Sequence, residues 1–100
     1  MYCKTFRTKL GPKGMKKFIQ FVHTKYKPLI SQQPGFLGTY FCTKEDNEFV
    51  MIMLWKEEKN IHDWSMNPDH KKISADMDIN ALFINEIFQD IYKVTEPIEK

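Results

Sequence analysis

Residues 33–70, QPGFLGTYFCTKEDNEFVMIMLWKEEKNIHDWSMNPDH, form the stretch that decides the fold. A turn at Pro34-Gly35 leads into two apolar runs, residues 37–43 and residues 49–55. The polar residues 44–48 between these runs are typical of a hairpin connection. The stretch therefore predicts two neighbouring antiparallel strands.

The second half of this stretch predicts two short helices. Residues 57–66 follow a helical pattern that brings Trp64 to the apolar side. A second helix is expected over residues 68–77, because asparagine is a good N-cap and proline is favoured at the first helical position, as in Asn67-Pro68. His70 would point inward from this helix, so an indole and an imidazole come to a place where a pocket can form.

The N-terminal third adds a strand and a longer helix. Residues 2–10 alternate like a strand, and the glycines and proline of residues 11–14 predict a turn. Apolar side chains then recur every three or four positions over residues 15–30, which indicates an amphipathic helix lying across a sheet. Pro28 is expected to kink or end this helix.

The C-terminal part completes one domain. A short stretch at residues 79–84 leads into residues 87–94, whose β-branched and aromatic side chains predict a last strand. We interpret residues 1–95 as a single domain and residues 96–100 as a loose tail.

The order strand, helix, strand, strand, helix, strand is typical of the ferredoxin-like split βαβ plan. It predicts an α+β fold in which the helices pack on one face of a four-stranded antiparallel sheet. Residues 49–55 are apolar at both odd and even positions, whereas a strand with one wet face should alternate. We therefore expect the second face of the sheet to be covered by another copy of the chain, as a homodimer.

The bulk composition narrows the class of protein. The chain has 100 residues, a formal net charge of +2 and 14% aromatic residues, so a domain this small carries more apolar surface than one monomer readily hides. Its lysines are mostly dispersed among acidic residues, so nucleic-acid binding is not expected. No signal peptide and no run of about 18 apolar residues is apparent, which favours a cytoplasmic protein with no membrane partner.

Two further observations concern cofactors. Cys3 and Cys42 are isolated, with no CxxC spacing, so neither a zinc site nor a disulfide is indicated, and both thiols are expected to be reduced and buried. The glycines at residues 11–14 lack the spacing and the Ser or Thr of a phosphate-binding loop. Neither a metal nor a nucleotide cofactor is therefore expected.

The order and spacing of several short motifs resemble the antibiotic biosynthesis monooxygenase (ABM) domain family. The resemblance spans nearly the whole chain, and it implies a dimeric α+β barrel with a pocket between sheet and helices. Many members oxidise quinols or polyketide-like aromatics with molecular oxygen and without metal or flavin. The motifs are Lys13-Gly14 before the long helix, Pro34-Gly35-Phe36 before the second strand, Trp55 at the end of the third, and Trp64 and Asn67-Pro68-Asp69-His70 in the helices that follow.

The resemblance implies roles for three residues in a cofactor-independent monooxygenase that acts on a small aromatic or quinol-like substrate. Trp64 would line the substrate pocket, or alternatively only fill the core. His70 would be the catalytic proton acceptor, since a histidine titrating near neutrality suits that step, or alternatively a hydrogen-bonded structural imidazole. Arg7 would bind an anionic substrate oxygen, or alternatively form an edge-strand salt bridge.

Two other functions remain open. A haem-binding or haem-degrading branch of the family is similar in its helical tryptophan, which Trp64 matches. That branch has an asparagine on the first strand where this sequence has Arg7, and a haem-ligating histidine near Ser74, so His70 would have to be a shifted ligand. The other alternative is a non-catalytic dimeric module that binds a hydrophobic ligand or regulates a partner.

Overall fold

The computed structural model describes residues 1–11, 14–45, 47–79 and 87–96. Most of the stretch predicted at 79–84, the end of the tail at 97–100 and two residues of the first turn lie outside this part of the chain. The elements are β1 (Tyr2–Lys9), α1 (Gly14–Phe21), a π-helix (Val22–Tyr26), α2 (Lys27–Ile30), β2 (Phe36–Lys44), β3 (Glu48–Trp55), α3 (Glu58–Met66), α4 (Pro68–Ile79) and β4 (Phe88–Lys93).

The four strands form one antiparallel sheet in the order β2-β3-β1-β4. The register places Thr5 of β1 between Ile52 of β3 and Asp90 of β4. This strand order is that of the split βαβ plan, so the predicted α+β fold is confirmed. No helix in the described part of the chain is both long and apolar enough to span a membrane.

The inner face of the sheet carries the core. Side chains of β3 alternate strictly between buried and half-exposed, and the buried ones are Phe49, Met51, Met53 and Trp55. They pack with apolar residues of the helices, which include Phe18 and Ile61. Because successive side chains of a strand point to opposite faces, the register alone decides which residues of each strand face the helices.

The long helix changes form just before Pro28 and ends two residues after it, at Ile30, in line with the prediction for this proline. In the π-helix that precedes Pro28, the N–H of Lys27 donates to the carbonyl of Val22, five residues earlier. The hydroxyl of Thr24 donates to the carbonyl of Gln20 at 2.8 Å, so this backbone acceptor has a partner in the irregular turn. A π-helical turn of this kind is a common cause of a local bend, and it accommodates a residue that has no N–H.

The outer face of the sheet is apolar and open. Val50, Ile52 and Leu54 of β3 are half-exposed there, and Tyr40 of β2 is 62% exposed. No helix among the described residues covers this face. Cys42 also lies on it and is exposed, which corrects the expectation that both thiols are buried; Cys3 is half-buried.

Candidate functional site

A cavity of about 80 Å³ lies between the sheet and the helices. That volume is several times the 10–15 Å³ or so that holds one water molecule, so the cavity has room for a small ligand. It opens to solvent on one side. The described residues that line it are Lys4, Phe6, Phe18, Val22, Tyr26, Met51, Met53, Trp55, Ile61, Trp64, His70, Ser74 and Gln89.

Trp64 forms one wall of this cavity. The helix that carries it, α3, begins at a capping box in which Glu57 and Asn60 exchange hydrogen bonds between side chain and backbone, and the indole is buried on its inner side. Its Nε1–H donates to the hydroxyl of Tyr26 at 3.3 Å, and that hydroxyl donates in turn to the sulfur of Met53 at 3.6 Å. The indole is therefore held in one orientation by a partner on the long helix.

His70 lies beside Trp64, in the first turn of α4. Asn67 caps this helix, because its side-chain oxygen accepts the N–H of Asp69 at 2.8 Å. The imidazole is half-buried and meets the indole edge to face, with ring centroids 5.0 Å apart and planes at 73°. The structure thus brings Trp64 and His70 together at one cavity.

The surroundings of His70 favour a neutral imidazole. Burial lowers its pKa below the usual value, the positive charge of Lys4 lowers it further, and a hydrogen bond with the backbone of Ser65 raises it. A hydrogen bond that raises the pKa of an imidazole is one that its N–H donates, here to a carbonyl. A neutral imidazole has one ring nitrogen that donates and one that can accept a proton.

Lys4 is a cavity residue that the sequence reasoning missed. It lies on β1 between Met53 of β3 and Ile91 of β4 in the register, and burial lowers the pKa of its ammonium. Within the described residues, no carboxylate lies at ion-pair distance from it. A signal was present in the sequence, because Lys4 shares its strand face with the apolar Tyr2 and Phe6.

Trp55 is the second residue that was missed. It lies at the edge of the cavity and is fully buried, and its Nε1–H has no hydrogen-bond partner among the residues that the structure describes. Buried donors are nearly always paired, so this indole N–H is an exception within the core. No sequence pattern could show that the atom lacks a partner.

Arg7 is not brought together with Trp64 and His70. It lies on the outer face of the sheet, where its side chain is 54% exposed, 3.9 Å from Glu48 and stacked over the ring of Phe88 at 4.7 Å. A salt bridge of the kind named as the alternative is therefore present, although β1 is an inner strand of the sheet and not an edge strand. An exposed pair of this length contributes little stability.

The described residues contain no cluster of three or more His, Cys, Asp or Glu side chains that could hold a metal ion. His23 and His62 are both exposed and lie outside the cavity lining.

The family model for antibiotic biosynthesis monooxygenases matches residues 1–76, which is most of the chain. The chain belongs to the antibiotic biosynthesis monooxygenase family. No curated protein was found that matches its sequence.

Solved structures of this family share the fold. A variant of SnoaB, a cofactor-independent oxygenase from Streptomyces nogalater, superposes with a TM-score of 0.82 at 14% identity, covering 99% of this chain and 97% of that one. The monooxygenase ActVA-Orf6 of Streptomyces coelicolor, in complex with nanaomycin D, gives 0.75 at 16% identity and covers 99% and 91%. A Deinococcus radiodurans protein that carries the family's name gives 0.81 at 14% identity and covers 100% and 98%. At these identities the likeness establishes the fold only.

The haem alternative depends on a ligand for the iron. His70 offers an imidazole at the cavity, in edge contact with Trp64, whereas Ser74, the position near which the haem-degrading branch has its histidine, also lines the cavity and offers no such ligand. Arg7, the other residue that bears on the haem alternative, lies on the opposite face of the sheet.

Proposed function

We propose that this protein is a cofactor-independent monooxygenase that oxidises a small aromatic or quinol-like molecule in the cavity between sheet and helices. His70 accepts a proton from the substrate, and Trp64 forms the wall against which the substrate ring packs. Family membership supports the reaction class. The observation that carries the proposal is the edge-to-face pair of Trp64 and His70 at the cavity.

The reaction balances without a cofactor because the substrate supplies all four electrons. A hydroquinone and one molecule of oxygen give a hydroxyquinone and one molecule of water. The imidazole of His70 takes a phenolic proton, the phenolate passes one electron to oxygen, and the two radicals combine at a ring carbon. The resulting peroxide is protonated, its O–O bond breaks as the carbon loses its hydrogen, and water leaves.

The protein's part in this reaction is to remove a proton from the substrate and to position its ring. A phenolate gives up an electron to oxygen far more readily than a phenol, so removal of the proton is the step that a base can accelerate. A positioned general base contributes about 10²–10⁴-fold to a rate. His70 suits this part because burial and the Lys4 charge lower its pKa and so favour the neutral imidazole near neutral pH.

Oxygen uptake is the direct test. The purified protein would be mixed with hydroquinone, a naphthohydroquinone and the anthrone dithranol in an oxygen electrode, with autoxidation measured in its absence. Uptake above that background, lost in His70→Ala and kept in His62→Ala, supports the proposal. No uptake with any of the three probes, together with saturable binding of them, would favour a non-catalytic ligand-binding module instead.

A hemin titration separates the haem alternative. A saturable Soret band that is lost in His70→Ala would make this a haem protein and would overturn the cofactor-independent mechanism. We expect no specific band, because Ser74 stands near the position of the haem-ligating histidine and Arg7 lies on the opposite face of the sheet.

We also infer that the protein works as a homodimer through the outer face of the sheet. Val50, Ile52 and Leu54 form a continuous apolar row there, with Tyr40 exposed beside it. A contact about a twofold axis needs only this one surface, since the same patch serves both copies. Burial of this face in a partner would also cover Cys42.

A further inference from the structure

We propose that Lys4 is the specificity-determining residue of the cavity, and that it selects ligands whose ring carries an ionisable hydroxyl by binding that oxygen as an anion. The inference rests on the proposed function for the identity of the site, and it deepens that function by naming the chemical feature that the substrate must have.

The first support is the sign of the charge in the cavity. Among the described residues that line it, the ionisable side chains are Lys4, His70 and Tyr26, and none of these described residues is an aspartate or a glutamate. Tyr26 is buried, and burial raises its pKa, so it contributes no negative charge. A ligand that brings its own negative charge is therefore the one that this cavity attracts.

The second support is the unpaired state of Lys4. A half-buried ammonium costs free energy unless a partner compensates it, and no carboxylate in the described part of the chain is within ion-pair distance. A phenolate oxygen would supply that partner. Charge-assisted hydrogen bonds of this kind are roughly twice as strong as neutral ones.

The third support is the position of Lys4 beside the proposed base. Lys4 and His70 line the same cavity, and the charge of Lys4 acts on the imidazole of His70, so the two groups are near enough to meet one ring. An ammonium and a neutral base together suit a ring with one oxygen to be bound and one proton to be removed.

The geometry of β1 makes Lys4 a residue of this site and not of the surface. Its neighbours in the register, Met53 and Ile91, are both apolar. Lys9 lies farther along the same strand but at odd parity, so it points to the opposite face. Lys9→Met is therefore a matched control that removes the same charge from the same strand.

The test uses para-nitrophenol, whose phenolate absorbs in the visible range, and para-nitroanisole, which cannot ionise. Both would be titrated into wild type, Lys4→Met, Lys4→Arg and Lys9→Met, with circular dichroism to verify folding. We expect wild type to lower the pKa of bound para-nitrophenol by about one unit. We expect Lys4→Met to bind the phenolate about tenfold more weakly and to bind para-nitroanisole as wild type does, whereas Lys4→Arg and Lys9→Met keep the preference.

The outcomes are distinct from those of the oxygenase test because para-nitrophenol need not react. A preference for phenolate that survives Lys4→Met, or that falls equally in Lys9→Met, would overturn the inference even if oxygen uptake is observed. Equal loss of both probes in Lys4→Met and Lys4→Arg would also overturn it, since that pattern indicates a packing role. A Lys4-dependent preference without oxygen uptake would support the inference and refute the oxygenase.

Discussion

The imidazole of His70 meets the ring of Trp64 edge to face, with centroids 5.0 Å apart and planes at 73°. The two residues belong to different helices, which Asn67 separates at the cap. The indole is held by a hydrogen bond to Tyr26 on the long helix, and its ring contact with His70 orients the two side chains toward the same cavity.

Removal of the base should slow oxidation more than it weakens binding. We expect His70→Ala to lower kcat for quinol-dependent oxygen uptake by about 10²–10⁴-fold, the usual contribution of a general base, with a small change in KM. The measurement is initial-rate oxygen consumption. His62→Ala is the matched control, since that imidazole is exposed on α3, and an equal loss in both variants would contradict the assignment.

The pH dependence of kcat/KM should change when Lys4 is replaced, because the charge of Lys4 lowers the pKa of His70. Burial and the Lys4 charge lower the pKa of His70 below 6.5, so its neutral form persists to a more acid pH than that of a free histidine. We expect kcat/KM of wild type to fall only below pH 6.5. In Lys4→Met the repulsion is absent, so the pKa rises and the acid limb moves to higher pH.

The same shift has a consequence for folding. Because the pKa of His70 is lower in the folded chain, the unfolded chain binds more protons below pH 6.5, and the free energy of unfolding decreases as pH falls through that value. Lys4→Met should reduce this decrease. Urea denaturation at several pH values measures it, and an unchanged pH dependence in both the rate and the stability would refute the Lys4–His70 coupling.

Loss of the Tyr26 hydroxyl should destabilise the fold. Tyr26→Phe leaves the buried Nε1–H of Trp64 without its acceptor, and an unsatisfied buried donor costs about 1–3 kcal/mol. The free energy of unfolding from urea denaturation measures the effect. Tyr40→Phe is the control, because Tyr40 is exposed on the outer face, and we expect it to change stability by much less.

Position 35 must be a glycine for α3 to begin as it does, because the side chain of Asn60 in the first turn of α3 lies against Gly35. Its φ is +79°, and an added Cβ would collide with the side chain of Asn60, whose oxygen accepts the N–H of Glu57 at 2.9 Å. We expect Gly35→Ala to lower the free energy of unfolding by about 2–4 kcal/mol, through backbone strain and loss of the cap.

Thermal unfolding provides the measurement, at roughly 4–8 °C per kcal/mol for a domain of this size. Gly38→Ala is the comparison, since Gly38 also has a positive φ, of +157°, but a Cβ there meets no atom within 4 Å, so only the backbone strain is shared. A loss of stability as large in Gly38→Ala as in Gly35→Ala would show that the collision with Asn60 is not the cause.

The outer face of the sheet should set the oligomeric state. We expect wild type to have twice the 12.0 kDa mass of one chain in sedimentation equilibrium, and Ile52→Glu to be monomeric because it places a charge in the apolar row. Gln20→Glu adds the same charge on the exposed side of α1 and should leave the dimer intact. A monomeric wild type would refute the proposed interface.

The local structure could be predicted from the sequence to a large extent. The hairpin at residues 33–55, both short helices and the strand order followed from the alternation of side chains, the turn residues and the caps, because these depend on neighbours within a few positions. Trp64 and His70 were identified for the same reason, since each lies at an inward position of its own helix. The π-helix before Pro28 was not predicted, because it depends on how one turn is accommodated, which no short-range pattern specifies.

What the sequence determined by itself is the set of elements and the face to which each side chain points, because these follow from the geometry of one helix or one strand. What only the tertiary structure decided is which faces meet. Lys4 faces the cavity that His70 lines, because β1 lies between β3 and β4 beneath the helices. Arg7, three residues later on the same strand, lies on the opposite face of the sheet. Proximity between residues so distant in sequence arises from packing, and packing is a property of the whole chain.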